Sequence, residues 1–132
     1  MGLRLGRLPP GRLNAITDVE GVQVGHVSLI AGDDVRTGVT AILPHEGDPF
    51  DEQVQAAAFV LNGFGKTCGL PQLAELGTLE TPVLLTNTLS VPRVADALLD
   101  WTLARHADAQ SVRSPKPPPV GRSLGRRPQC GR

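Results

Sequence analysis

The sequence predicts an α/β fold, more specifically an α+β layered sandwich in which helices cover buried strands. Three observations support this prediction. Apolar runs typical of strands recur between Gly and Asn turns from Asn14 onward. A segment with a 3.6-residue apolar period follows the last of these runs, as in an amphipathic helix. Because only 3% of the residues are aromatic, the core is expected to consist of Val, Leu, Ile and Ala. Strands that alternate with helices indicate a layered domain.

The first two strands are predicted to form a hairpin. Residues 21–30 alternate apolar side chains with polar or small ones, which is typical of a half-buried strand. A second strand is expected from Arg36 to Leu43, because Pro44 follows and would end it. Asp33 and Asp34 favour a turn between the two strands. The spacing predicts a hairpin loop of about five residues.

The middle of the chain contains two further strands and a short helix. Residues 55–61 form a continuous apolar run, which periodicity alone cannot assign, but the Asn62-Gly63 stop favours a buried strand. The segment from Leu70 to Leu76 is predicted to be a short helix closed by Gly77. Residues 81–86 are predicted to be another buried strand.

A longer helix is predicted from about Val91 to about Arg105. Ser90 is the expected N-cap, because its hydroxyl can accept a hydrogen bond from a free amide of the first turn. Pro92 lies in that turn, where its missing N–H costs nothing. One face then carries residues at helical spacing: Val91, Val94, Ala95, Leu98, Leu99 and Thr102.

Charge is distributed unevenly along the chain. The formal net charge is zero, but all 13 acidic residues lie in 1–110, whereas 111–132 contain six basic residues and no acidic one. This tail is rich in Pro, Arg and Gly and cannot bury enough apolar surface to offset its ordering entropy, so it is predicted to be disordered. Residues 1–13, which contain Pro9 and Pro10, are predicted to be an extended lead-in.

Cysteine content and hydropathy favour a cytoplasmic protein. Cys68 and Cys130 are the only cysteines, which is too few for a disulfide framework or a cysteine metal cluster. No apolar run approaches the ~20 residues that span a membrane, and the N-terminus has no apolar signal region. We therefore expect no membrane partner.

Two classes of site are disfavoured by spacing. The segment around Gly65-Lys66-Thr67 suggests a phosphate-binding loop, but the glycine required five positions before the Gly-Lys pair is replaced by Val60. The segment is therefore a tight turn, or its amides at Gly63 and Gly65 line a substrate pocket. The three histidines have no metal-ligand spacing, so no metal and no other cofactor is expected.

The polar cluster of residues 86–90 is the strongest candidate for a binding site. It connects a predicted buried strand to a predicted helix, and free amides at a helix start often bind ligands. The Asn87 side chain offers a donor and an acceptor, which suits an amide substrate or an oxyanion. Ordinary turn and capping chemistry is the alternative for these residues.

Several motifs, taken together and in order, resemble the P1 peptidase family. This is peptidase family S58, which includes the DmpA-like L-aminopeptidase/D-esterases and the β-peptidyl aminopeptidases. The resemblance covers about 90 residues, and the motifs begin at Asn14 (NAITDV), Gly21 (GVQVGH), Arg36 (RTGVTAILPH), Asn62 (NGFGK), Glu75 (ELG), Glu80 (ETP) and Leu85 (LTNTLSV).

The resemblance implies a two-sheet sandwich shared with ornithine acetyltransferase, and a precursor that cleaves itself at a Gly–Ser bond. The new N-terminal Ser would be the nucleophile, its amine could be the base, and the substrate would be a peptide or amide with a free amino terminus. The partners would be the rest of the α-subunit and the β-subunit, within a homo-oligomer of αβ units.

After the last predicted helix, the chain departs from the pattern of the family. Ser123 follows Arg122 rather than Gly, so no catalytic residue is assigned, and we expect the nucleophile to lie beyond this chain. The expected organisation is a partial peptidase domain over 14–108 and a tail over 109–132 that is disordered or out of frame. The expected substrate-binding residues are Asn87, Thr88, Asn62, Gly63 and Gly65.

Two alternative functions remain open on the sequence. A non-catalytic binding module or pseudo-enzyme would require a stable monomeric fold. Nucleic-acid binding through the basic tail would require salt-dependent retention on DNA, and the tail has no aromatic residue to stack on bases.

Overall fold

The computed structural model describes residues 6–106 and 120–122. Within these residues the chain forms strands and two α-helices, with a single 3₁₀ turn at Ile16–Asp18 and another at Thr88–Ser90. The strands are β1 (Gln23–Ala31), β2 (Val35–Leu43), β3 (Val54–Gln55), β4 (Thr78–Leu79), β5 (Val83–Thr86) and β6 (Val120–Arg122), and the helices are α1 (Leu70–Leu76) and α2 (Val91–Arg105).

The predicted hairpin is confirmed and is regular over its whole length. β1 and β2 are antiparallel, and their register runs from the pair Gln23 and Leu43 to the pair Ala31 and Val35. The turn between them has three residues, which is shorter than predicted. Gly32 makes this turn possible, because its φ of 55° lies in the left-handed region that favours glycine.

The hairpin belongs to a four-stranded mixed sheet in the order β1-β2-β5-β6. β5 is antiparallel to β2, and β6 is parallel to β5. α2 connects these two parallel strands along the chain and contacts both of them. β6 lies within the tail that composition predicts to be disordered, and it pairs with β5. The rest of 107–132 lies outside the described residues, so disorder of the tail stays a prediction.

The strand predicted over residues 55–61 is wrong for most of its length. Only Val54–Gln55 form a strand, which pairs with β4 in a separate two-stranded sheet. The following apolar residues have no strand beside them in the described part of the chain, and Phe59 and Leu61 are 87% and 89% exposed. An apolar run alone does not determine a partner strand, and without one the backbone stays irregular.

Both predicted helices are confirmed, but the predicted cap is not. α1 ends at Gly77, whose φ of 67° is left-handed and whose N–H donates to the Leu73 carbonyl. Ser90 adopts a helical conformation and its side chain caps nothing. The chain makes a 3₁₀ turn before α2, so the capping side chain is that of Asn87, three residues earlier.

The hydrophobic core of the described residues is small. Leu73, Val91 and Leu98 are the hydrophobic side chains buried there. The helices leave most of β1 exposed, including Val27 at 73% and Ile30 at 67%. These exposed apolar faces are much larger than the scattered apolar residues of an ordinary monomer surface.

An ionic cluster holds the C-terminal end of α2 against the loop after β2. Asp48 Oδ2 lies 3.5 Å from Arg105 Nε and 3.2 Å from His106 Nε2, and the His106 ring stacks on Phe50 with 4.3 Å between centroids. Burial by itself raises the pKa of Asp48, but the hydrogen bond from the Phe50 N–H, the electrostatic attraction of His106 and the side-chain hydrogen bonds from His106 and Arg105 outweigh it. The pKa of Asp48 is therefore held below its usual value.

Asp48→Asn is expected to lower stability near neutral pH and to flatten its pH dependence in acid. Because the folded-state pKa is lowered, the carboxylate stabilises the fold above its unfolded pKa of about 3.9, and this contribution is lost as the pH falls through the folded pKa. The pair is partly exposed, so the effect is about 1 kcal/mol or less. Urea unfolding at pH 7, 4.5 and 3 measures it. Asp51→Asn is the control, and identical pH profiles for wild type and Asp48→Asn would contradict the prediction.

Candidate functional site

The end of β5 is organised by the side chain of Asn87, which is 7% exposed. Its Oδ1 accepts hydrogen bonds from the Leu89 N–H and the Ser90 N–H, each at 3.1 Å. Its Nδ2 donates to Thr37 Oγ1 at 2.6 Å and to Ser90 Oγ at 2.9 Å. These four bonds use both donors and both acceptor positions of the amide. In this conformation the side chain caps a turn and holds two hydroxyl groups. No donor or acceptor position of the amide is left to bind a ligand.

Thr86 and Gly38 bring β5 and β2 close together beside this turn. Thr86 is 1% exposed, and its Oγ1 donates to the Gly38 carbonyl at 2.9 Å. A Cβ atom on Gly38 would meet the carbonyl oxygen of Val27 on β1. Glycine in a strand interior often marks such a close backbone approach. The three strands therefore pack tightly at the level of Thr86.

A cleft of about 350 Å³ lies over the sheet next to Asn87. Most of its lining residues alternate along β1 and β2 and so share one face of the hairpin. The lining consists of His26, Val27, Ser28, Ile30, Arg36, Thr37, Gly38, Val39, Thr40, Leu85 and Asn87.

The structure places only one of the five predicted site residues, Asn87, in this cleft. Thr88 is half-buried and begins the 3₁₀ turn at Thr88–Ser90. Asn62 lies in an exposed loop, where its Oδ1 accepts a hydrogen bond from the Phe64 N–H at 2.9 Å. Gly63 and Gly65 belong to the same loop, and a Cβ atom on Gly63 would meet nothing within 4 Å. The described contacts do not join this loop to the cleft.

Sequence reasoning missed the contribution of β2 to the cleft. Arg36, Thr37 and Thr40 line it, whereas the sequence interpretation treated this segment only as a strand. The signal that could have identified it was Gly38, a glycine inside a strand rich in β-branched residues. His26 also lines the cleft, and its Nδ1 lies 2.9 Å from Thr40 Oγ1.

The remaining histidines serve local structure. His45 Nε2 lies 2.8 Å from the Glu52 carbonyl oxygen, and its Nδ1 accepts from the Gly47 N–H, so the ring closes the loop after β2. His106 belongs to the ionic cluster of Asp48. Among residues 6–106, no group of three or more His, Cys, Asp or Glu side chains could hold a metal ion. The same part of the chain contains no helix long and apolar enough to cross a membrane.

The chain is similar to several aminopeptidases of known sequence or structure. It is 45% identical over 100 residues to the β-peptidyl aminopeptidase BapA of Sphingosinicella microcystinivorans. This match covers 70% of this chain and 25% of BapA. The chain thus spans about a quarter of the length of this curated relative.

Two solved structures share the fold over 92% of this chain. The PH0078 protein of Pyrococcus horikoshii OT3 superposes with a TM-score of 0.86 at 49% identity, and the match covers 37% of that protein. The L-aminopeptidase D-Ala-esterase/amidase of Ochrobactrum anthropi superposes with a TM-score of 0.75 at 30% identity over 36% of its chain. Its structure is described as a prototype for the serine aminopeptidases and a variant of the Ntn hydrolase fold.

These similarities confirm the α+β fold class and the family resemblance of the sequence motifs. The pattern that defines peptidase family S58 matches residues 14–121, which include β1, β2, β5, both helices and the Asn87 turn. The chain belongs to peptidase family S58.

Proposed function

We propose that this chain forms part of a serine aminopeptidase that releases N-terminal residues from peptides or amides. The observation that supports it is the match of residues 14–121 to family S58, over a backbone that superposes on family structures. We further propose that the enzyme matures by self-cleavage of a precursor, and that the nucleophilic Ser comes from residues outside this chain. Its partners would be the remainder of the α-subunit and the β-subunit in an oligomer of αβ units.

The distribution of apolar surface supports a role as one part of a larger fold. A module that functions alone would bury the apolar faces of its sheet, but Val27, Leu29 and Ile30 on β1 are all more than half exposed. The loop residues Phe59 and Leu61 are almost fully exposed. Further protein packed against β1 and this loop would remove these side chains from water, so the enzyme proposal is favoured over a stand-alone binding module.

Within the proposed enzyme, Asn87 would position groups rather than contact the substrate. All four hydrogen-bonding positions of its amide are used inside the protein, and its Nδ2 holds the hydroxyls of Thr37 and Ser90. Thr88, Asn62, Gly63 and Gly65 remain proposed substrate contacts. The loop of residues 62–65 is accessible for such a role, because Asn62, Gly63 and Phe64 are exposed.

A chimera tests the proposed function. Residues 14–122 of this chain would replace the matching segment of BapA from Sphingosinicella microcystinivorans, to which this chain is 45% identical. We expect the chimera to cleave itself and to hydrolyse a β-aminoacyl p-nitroanilide within about tenfold of the BapA rate, since packing swaps between similar cores are tolerated. The 132-residue chain alone is expected to show no hydrolysis above background.

Two outcomes would contradict this proposal. A soluble, folded chimera that neither cleaves itself nor hydrolyses the anilide would show that the segment cannot serve an aminopeptidase. Activity of the 132-residue chain alone, abolished by Ser123→Ala, would show that the nucleophile lies inside it. Unmodified BapA prepared in parallel is the control for assay conditions.

A further inference from the structure

The exposed loop that begins at Asn62 contains a reactive pair of residues. The sequence has three asparagines, Asn14, Asn62 and Asn87, and only Asn62 is followed by glycine. Asn62 and Gly63 are both exposed, and a Cβ atom on Gly63 would meet nothing within 4 Å. Because glycine has no side chain, its backbone nitrogen can approach a neighbouring group closely. The Gly63 nitrogen can therefore reach the side-chain carbonyl carbon of Asn62.

The Asn62 side chain is already folded towards this nitrogen. Its Oδ1 accepts a hydrogen bond from the Phe64 N–H at 2.9 Å. This bond spans Gly63, so it holds the side-chain carbonyl over the Gly63 peptide. The same N–H would stabilise negative charge on Oδ1 when a nucleophile adds to Cγ. Among the described residues, neither the Gly63 N–H nor Asn62 Nδ2 has a hydrogen-bond partner, so no such bond restrains the attacking or the leaving nitrogen.

The other two asparagines lack this combination. The nitrogen that follows Asn14 belongs to Ala15, and its N–H donates to Asp18 Oδ2 at 3.1 Å. Asn87 is 7% exposed, and its Nδ2 is held by two hydrogen bonds. The residue after it, Thr88, is half-buried and β-branched. Asn14 and Asn87 are therefore internal controls for Asn62 in the same molecule.

We propose that Asn62 and Gly63 form a self-modification site, at which the Asn62 amide is converted to a carboxylate in the free chain. The Gly63 nitrogen loses its proton to hydroxide and attacks Asn62 Cγ, and the carbonyl electron pair moves to Oδ1. The Cγ–Nδ2 bond then breaks, and the nitrogen leaves as ammonia with a proton from water. The product is a cyclic imide. Water opens it at Cγ to give aspartate, or at the main-chain carbonyl carbon to give isoaspartate, in which the backbone runs through the former side chain.

The modification would change how this loop meets other protein. A carboxylate would replace a neutral amide between Leu61 and Phe64, which are 89% and 73% exposed. Further protein that packs against these apolar side chains would have to take up the new charge, and burying an unpaired charge is costly. The modified chain is therefore expected to assemble less readily. This consequence rests on the proposed function, whereas the reaction itself does not.

The first test follows the reaction in the full 132-residue chain. The folded chain and a blocked synthetic peptide of residues 59–66 are incubated together at 37 °C, and products are measured by peptide mass spectrometry and by an isoaspartate-specific methyltransferase. Asn62 is expected to convert within about threefold of the peptide rate, because exposed loops open at little cost. Asn14 and Asn87 are expected to stay unmodified over the same time. An unmodified Asn62 at the time when the peptide has converted would overturn the proposal.

Two further arms test the mechanism. Gly63→Ala, which has open space around its Cβ, is expected to slow the conversion at least about tenfold, because the new methyl group hinders ring closure. The rate is also expected to rise from pH 6 to pH 9, since the Gly63 nitrogen must lose its proton. A rate that neither Gly63→Ala nor pH changes would refute the cyclic imide. Unfolding the chain in urea is expected to expose Asn14 to the reaction, because the Ala15 N–H loses Asp18.

A separate experiment addresses the consequence for assembly. Asn62→Asp in the BapA chimera is expected to reduce the yield of soluble, self-cleaved protein severalfold, and Asn14→Asp, the same change at another exposed position, is the matched control. Equal yields for the two variants would refute the effect on assembly and leave the modification site intact. A chimera that fails to cleave itself even with Asn62 in place would count against the proposed function alone, because the reaction at Asn62 is measured in the free chain.

Discussion

Asn87→Ala is expected to lower the free energy of unfolding by about 2 kcal/mol, since a buried cap is lost and the Thr37 and Ser90 hydroxyls lose their partner. The variant also leaves the Leu89 and Ser90 N–H groups without their acceptor. Urea unfolding of the 132-residue chain, followed by circular dichroism, measures the change.

Two variants isolate the cause of this loss. Asn62→Ala removes a comparable side-chain bond in an exposed loop and is expected to cost less than about 0.5 kcal/mol. Asn87→Asp keeps the capping oxygens, and the two hydroxyls can turn to donate to it, so most of the stability should return. If Asn87→Ala unfolds at the wild-type midpoint, the four hydrogen bonds of the amide do not stabilise the fold. Direct contact with substrate would then be the better explanation for Asn87.

Gly38→Ala is the second change expected to have a large effect. The new Cβ would meet the Val27 carbonyl oxygen, a backbone atom that no side-chain rotation can move away. β1 would have to separate from β2, which we expect to cost about 1 to 3 kcal/mol, as in other overpacked sites. Chemical unfolding gives the free energy, and amide hydrogen exchange along β1 shows whether the hairpin is the part that loosens.

Gly25 provides a matched control in the same hairpin. It lies on β1 opposite Ala41, and an added Cβ would meet nothing within 4 Å. Gly25→Ala is therefore expected to be neutral, or to stabilise by up to about 1 kcal/mol by restricting the unfolded chain. Equal destabilisation in both variants would mean that the hairpin tolerates no β-carbon at either position, and that the specific contact with Val27 is irrelevant.

Local patterns were sufficient to predict both α-helices and the hairpin of β1 and β2. The apolar period of residues 91–105 fixed α2, and Gly77 fixed the end of α1. The alternation in β1 and β2 predicted the hairpin. Each of these signals depends on neighbours in the sequence, and helix and hairpin formation depend mainly on the same neighbours.

Features that depend on distant partners were not predictable in this way. Phe59 to Leu61 have the composition of a buried strand, but no strand lies beside them in the described residues. Both Asn87 and Ser90 are residue types that cap helices. Asn87 is the residue that caps because the chain makes the 3₁₀ turn Thr88–Ser90 before α2. The cleft arises from the register of β1 with β2 and from the bond between Thr37 and Asn87, fifty residues away in sequence.

The strand order of the main sheet has a consequence for the sequence of folding events. β1 and β2 are joined by a three-residue turn, so their hairpin can form within microseconds. β5 must close a loop of about forty residues to reach β2, and β6 must then return across the whole of α2, steps that loop-closure entropy slows. During synthesis the hairpin therefore forms while β2 still has a free edge, and the addition of β5 first protects that edge from pairing with other nascent chains.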